Sequence, residues 1–182
     1  LCENLVDSLE LTGELTSQDT CPNPSPLKVS TKTKIAYVEP HVNVYELFWR
    51  IPIIPYHVPA PGVIKKEMKY ISNTKEEFID MCNRCENEKY VRFHIVKHID
   101  KTTGNIHFKD IRKIISGISK HDVIHKRVKP KSAFFNCIVV NIRLESEGIF
   151  KEYHIKRFNS GKFEMPGTHE PVVYESVVSY IS

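Results

Sequence analysis

The chain has 182 residues, enough for one domain with a hydrophobic core, or for one domain with an extension. Its 41% hydrophobic and 26% charged content is that of a globular protein, and no apolar run is long enough to span a bilayer. The net charge of +4 hides a division. The first 26 residues hold five acids (Glu3, Asp7, Glu10, Glu14, Asp19) and no Lys or Arg, so residues 27–182 carry 26 basic against 17 acidic side chains, a net of +9.

A basic body behind an acidic leader points to an anionic partner, with nucleic acid as the first candidate. The leader reads first as a tail. A short amphipathic helix through Leu5, Val6, Leu9 and Leu11, or a strand mimicking DNA against the body, are the alternatives. A first residue of Leu rather than Met indicates a fragment or a processed chain, and the leader has none of the cationic start of a signal peptide. Five cysteines (Cys2, Cys21, Cys82, Cys85, Cys137), an odd number without secretory features, indicate free thiols in a reducing compartment.

Residues 18–27 form a Pro-rich linker. A β-branched strand is expected from Lys28 to Val38, then a short helix over Val42–Arg50 capped by Asn43, with Val44, Leu47 and Phe48 on one face. The four prolines from Pro52 to Pro61 exclude regular structure there. Val63–Ile71 reads as a strand, and residues 73–88 as a helix opened by the capping-box pair Thr74 and Glu77. Tyr90–Ile99 is a strand, Thr103-Gly104-Asn105 a turn, Ile106–Phe108 a short strand and Ile111–Ile118 a short helix. Lys120–Lys131 is a basic connector.

Ala133–Leu144 is the strongest strand signal, with Phe134, Ile138, Val140, Ile142 and Leu144 on one face. A hairpin follows, turning at Asn159-Ser160-Gly161. Alternation puts His154, Lys156 and Phe158 on one face of its first strand and Tyr153 and Ile155 on the other. Past the turn, Phe163 and Met165 alternate with Lys162 and Glu164. An aromatic among cations is a candidate nucleic-acid platform. An ordinary hairpin with a solvated polar face gives the same pattern. Thr168 is placed to cap a last helix, with Val173, Val177, Tyr180 and Ile181 as its buried stripe. The order is strand, helix, strand, an insertion of about 60 residues, three strands and a helix: an α+β layer of antiparallel sheet with helices to one side.

In three pieces the chain resembles the TATA-box-binding protein, more closely the TATA-binding-protein-like factors of large nucleocytoplasmic DNA viruses. Leu27-Lys-Val-Ser-Thr-Lys-Thr33 is similar to the opening strand of a repeat. Ala133-Phe-Phe-Asn-Cys-Ile-Val-Val-Asn-Ile142 is similar to a strand of the viral branch. Ile155-Lys-Arg-Phe-Asn-Ser-Gly-Lys-Phe-Glu-Met-Pro-Gly167 is similar to the family's hairpin. The likeness spans about residues 27–71 and 133–182, with an α/β insertion at about 72–132.

The resemblance implies a curved antiparallel sheet with helices on its convex face and its concave face on the DNA minor groove. It implies that Phe158 is a wedge, Ser160 and Lys162 contact the groove, Lys66 meets phosphate, and Val29 and Thr31 lie on the concave face. His154 and Lys156 join this set through alternation. The implied function is a DNA-binding transcription-initiation factor that prefers A·T-rich duplex and works with a transcription factor B-like protein or RNA polymerase subunits. The implied location is a viral factory in host cytoplasm or the host nucleus. A second repeat, or a homodimer, would complete the saddle; Val91–His98 with Ile106–Phe108 is a faint echo of one.

The chain departs from the family at several points. The second wedge falls near Ala60, the family's groove-reading Asn falls on Leu27, Glu164 brings a carboxylate to the binding face and Pro166 replaces a Thr. A protein-interaction module that kept the fold but lost DNA bending is therefore the alternative, and an accessory clamp of a nucleic-acid-processing enzyme a third.

Cys82-x-x-Cys85 followed by His94 and His98 has a middle gap shorter than a zinc finger's, and both cysteines fall on a helix stripe. Buried thiols are the expectation, and no metal or cofactor. His121 and His125 lack a further ligand nearby. Trp49 reads as core, with a partner-facing anchor as the alternative. No Gly-rich phosphate loop, nucleophile elbow or acidic metal cluster is present, so catalysis is not expected.

Overall fold

A computed structural model of the chain describes residues 24–38, 42–101, 107–125, 134–167 and 171–181. The chain divides into two compact units, residues 1–30 and 31–182. In the first, residues 24–30 are exposed coil.

The second unit contains β1 (Thr33–Tyr37), α1 (Val44–Arg50), β2 (Gly62–Ser72), α2 (Lys75–Asn87), β3 (Val91–Ile99), β4 (Lys109–Gly117), α3 (Lys120–Ile124), β5 (Cys137–Ser146), β6 (Ile149–Phe158), β7 (Lys162–Pro166) and α4 (Pro171–Ile181). All seven strands form one antiparallel sheet in the order β1-β7-β6-β5-β2-β4-β3. Outside residues 72–132 the strands and helices follow the expected order. Residues 72–132 are not a separate body: their strands β3 and β4 extend the sheet beyond β2.

The helix ends follow from their capping residues. Asn43 Oδ1 accepts from the Tyr45 amide at 3.0 Å and opens α1. Thr74 Oγ1 accepts from the Glu77 amide at 3.2 Å, and Glu77 reaches back to the Asn73 amide at 2.7 Å. The prolines of 52–61 leave only turns and coil between α1 and β2.

Helices α1, α2 and α4 cover one face of the sheet. Between them lies a core of Val44, Phe48, Met68, Met81, Ile114, Ile138, Val140, Ile142, Ile155, Phe163, Met165, Val173 and Val177. The β5 residues and the hairpin pair Phe163 and Met165 point into it, as alternation predicts. Trp49 is half-buried against this core, edge-on to Phe48 at 5.0 Å, in line with a packing role.

Several expectations need correction, among them the short strand at Ile106–Phe108, whose residues 107 and 108 are a bend and coil. Residues 109–117 form one strand rather than the short helix expected over Ile111–Ile118, because pairing with both β2 and β3 overrides the local periodicity of Ile111, Ile114 and Ile115. Strand β1 starts at Thr33, not Lys28, because its partner β7 is only five residues long and ends at Pro166. Phe134 lies outside β5 and is exposed rather than part of the buried stripe. Tyr180 is likewise exposed on α4, while Val173, Val177 and Ile181 are buried. The turn at 103–105, Thr168, and Lys126, Arg127, Lys129 and Lys131 of the basic connector lie outside the described residues.

No helix among the described residues is long and apolar enough to cross a membrane.

Candidate nucleic-acid interface

The face of the sheet away from α1, α2 and α4, here the outer face, carries the hairpin residues singled out by sequence. Register makes this explicit. One cross-strand row runs Ile35, Glu164, Lys156, Val139, Glu67, Ile115 and Arg92, one residue per strand. On β6, His154 and Phe158 flank Lys156 in alternation and lie opposite Asn141 and Cys137 of β5. On β7, Lys162 pairs with Tyr37 of β1, whose ring is exposed.

At the end of β6 two aromatic rings meet. Phe134, just before β5, lies 6.4 Å from Phe158, centroid to centroid. Lys156 Nζ stands 5.4 Å from the centre of the Phe134 ring, and Lys162 Nζ 5.5 Å from that of Phe158. The adjoining Phe135 ring lies 4.0 Å from the ammonium of Lys69 on β2. Phe135, with the buried Lys69, adjoins the cluster of Phe134, Phe158, Lys156 and Lys162.

Glu164 sits inside it. Its Oε1 accepts from Lys162 at 2.7 Å and its Oε2 from Lys156 at 3.2 Å. The Lys162 hydrogen bond, with that from Lys156, holds its carboxyl below the usual range, and the same contact raises Lys162. The Glu164 carboxylate thus bridges two lysines.

The turn beneath Phe158 is tied down from several sides. Asn159 Oδ1 accepts from the Val44 amide at 3.0 Å, linking the hairpin to the start of α1, and the Asn159 amide donates to the Asn136 carbonyl at 3.0 Å. Gly161 has φ +84°, and a Cβ there would stand 2.5 Å from the Val38 carbonyl oxygen. Arg157, buried on the helix side, stacks 4.3 Å over Phe163 and donates to the Gly161 carbonyl. Phe158, Ser160 and Lys162 are therefore presented on a fixed turn, with Ser160 at its exposed tip.

Of the eight sequence-derived site residues, His154, Lys156, Phe158, Ser160 and Lys162 come together. Lys66 does not. It is wholly buried on the helix side, where Nζ donates to the Ile51 carbonyl at 2.7 Å and pairs with Glu88 at 3.1 Å, above the Phe48 ring. Burial lowers its pKa, partly offset by Glu88. A bulge between Val63 and Lys65 sets the facing, and Lys66 follows Met68 inward. Thr31 is exposed coil before β1, not a strand position, and Val29 is exposed coil in the other compact unit.

The outer face also holds residues that sequence reasoning missed. Lys65, Lys69 and Lys113 stand on it but are buried. Lys65 Nζ binds Asp122 of α3 at 2.8 Å, and Lys113 Nζ binds Glu67 at 3.0 Å. Burial opposes ionisation of Asp122, but hydrogen bonds from Lys65 and from the Ser119 amide and hydroxyl outweigh it and bring its pKa down to about 2. The period-two run Lys65, Glu67, Lys69 is the sequence signal that points to this face.

The possible metal ligands do not converge. His94 faces outward opposite Lys113, whereas His98 faces the helices, with Nδ1 2.8 Å from Asp110 Oδ2. Cys82 and Cys85 are free thiols on α2, both raised by burial, Cys85 to about 11. The His121 and His125 ring centres lie 4.6 Å apart, with the rings tilted by 51°. Among the described residues no three His, Cys, Asp or Glu side chains are grouped to hold a metal ion.

Comparison with protein-family models, curated proteins and solved structures finds no match.

Proposed function

We propose that the protein is a DNA-binding transcription-initiation factor of the TATA-box-binding-protein type, belonging with the factors of large nucleocytoplasmic DNA viruses. In this reading the outer face lies on the minor groove and the helix side meets a transcription factor B-like protein or polymerase subunits, in a viral factory or the nucleus.

The observation that carries the reading is the Phe134–Phe158 pair flanked by Lys156 and Lys162. Apolar rings inserted at a base step open it, and ammonium groups beside them neutralise the phosphates that the kink crowds together. Phe134 is exposed and Phe158 half-buried, both on the side away from the helices. Phe134 also supplies the second ring that the resemblance leaves vacant near Ala60. Ser160 and His154 add groove- and backbone-facing polar groups. Lys66, Val29 and Thr31 have no part in this site.

Fluorescence anisotropy on A·T-rich and G·C-rich duplexes over a salt series tests the proposal. The expected result is binding that weakens steeply with salt and favours A·T-rich duplex, because the minor groove distinguishes chiefly these two classes. Absence of binding at low salt would refute it.

The internal neutralisation of Lys156 and Lys162 by Glu164, and of Lys65 by Asp122, favours a second reading: a protein-interaction module with the same architecture. It predicts no duplex affinity, and retention of transcription-factor or polymerase subunits when Phe158 is changed to Ala.

A further inference from the structure

We propose that the inserted hairpin β3–β4 is a second binding zone for the nucleic-acid backbone, on the same face as the Phe134–Phe158 site; this rests on the DNA-binding reading above.

The hairpin sorts its charges by face. Register and alternation put Arg92, His94 and Lys97 of β3, with Lys109 and Lys113 of β4, on the outer face. The only acid in either strand, Asp110, points the other way. It is buried on the helix side, held by His98 at 2.8 Å and by Arg112 Nε at 2.9 Å. Arg112 in turn lies between the Phe78 and Phe93 rings, at 4.6 and 4.7 Å. The inward polar groups thus bind one another within the fold, and the outward Arg92, Lys97, Lys109 and Lys113 meet no acid from their own two strands.

Two of these cations are accessible to a ligand. Lys97 is exposed, and the Arg92 side chain is 42% exposed. Arg92 approaches Asp122 only at 3.9 Å, while that carboxylate is engaged by Lys65 at 2.8 Å. Lys113 is buried and bound to Glu67, so it is not available for contact.

Position selects the partner. Arg92 ends the cross-strand row that contains Lys156, four strand steps away. At about 4.8 Å per step the two cations are ~19 Å apart. A B-form strand places a phosphate every ~3.4 Å along the axis, so one duplex laid along the row meets both ends. The insertion thereby lengthens the footprint beyond the aromatic site without adding sequence readout.

The test is anisotropy of the full chain on a 24-base-pair duplex across a salt series, comparing wild type, Arg92→Gln/Lys97→Gln and Lys156→Glu, with melting by circular dichroism to confirm folding. The double variant is expected to lower the slope of log affinity against log salt by about two, since each phosphate left without its cation takes away about 0.9. Its affinity at moderate salt is expected to fall at least fivefold, with the A·T preference unchanged. A folded double variant with wild-type slope and affinity, alongside a weakened Lys156→Glu, would overturn this proposal and leave the DNA reading standing. Equal competition by poly-glutamate would also overturn it, since the zone would then be a general polyanion patch. No wild-type binding at low salt would instead defeat the DNA reading itself, and the second zone with it.

Discussion

The Phe134 and Phe158 rings meet 6.4 Å apart on the outer face of the sheet, one from the segment entering β5 and the other from the last position of β6. The pairing of Cys137 with Phe158 brings the two segments together. The Asn159 amide, bonded to the Asn136 carbonyl, closes the corner. Two rings that share one site should act as a unit.

A double-mutant cycle checks this. Phe134→Ala and Phe158→Ala should each weaken duplex binding by about 1–3 kcal/mol, the range for removal of a stacking or wedging aromatic. The double variant should lose less than the sum, because each ring supports the other. Duplex bending, read by energy transfer between end labels, should fall more than affinity.

Glu164 restrains the two lysines nearest those rings. Glu164→Gln removes the carboxylate but keeps the shape, freeing Lys156 and Lys162 for phosphate. Duplex affinity should rise roughly two- to fivefold, the scale of a partly exposed ion pair, with a steeper salt dependence. Weaker binding would mean that Glu164 positions the lysines rather than competing for them.

Lys66 supplies the converse case. It is bound to Ile51 and Glu88 on the helix side, so Lys66→Met should leave duplex affinity and salt slope within about twofold of wild type, a phosphate-binding lysine being the kind that moves both. Lys66→Ala should lower the melting temperature, because it opens a cavity beside Phe48 and leaves the Ile51 carbonyl without its donor. The measurements are anisotropy and thermal melting on the same preparations.

Asp122 gives a pH signature. Its pKa falls from 3.8 to about 2 on folding. A depressed carboxyl adds stability that is present above the unfolded value and lost as pH drops through the folded one, so the loss falls between about pH 4 and pH 2. The contribution is on the order of 2 kcal/mol. Urea unfolding across that acid range should show this component in wild type and not in Asp122→Asn.

Much of the fold is legible in the sequence because its strongest signals are local. Alternation in β6 and β7, the Asn43 and Thr74 caps and the proline run need no knowledge of distant partners. The errors arise where partners decide. Residues 109–117 carry a spacing that suits a helix, but hydrogen bonding to β2 and β3 makes them a strand. Resemblance puts Lys66 on the binding face, although Met68 two positions on indicates an inward one. Periodicity draws Phe134 into the β5 stripe because it does not mark where pairing begins. The meeting of Phe134 with Phe158 depends on that start point. Nor does any local pattern tell that the β3–β4 hairpin continues the same sheet, or that Asp122 returns to Lys65.

Photo-crosslinking from defined positions tests the central claim most directly. A genetically encoded benzophenone side chain at Ser160, at the exposed tip of the β6–β7 turn, should crosslink to an A·T-rich duplex under ultraviolet light. The same group at Glu175, exposed on α4, should not. Crosslinking from Ser160 alone, abolished by moderate salt, is the predicted result. Crosslinking from Glu175 alone, or from neither position at a protein concentration that saturates low-salt binding, would contradict the assignment of the outer face to DNA.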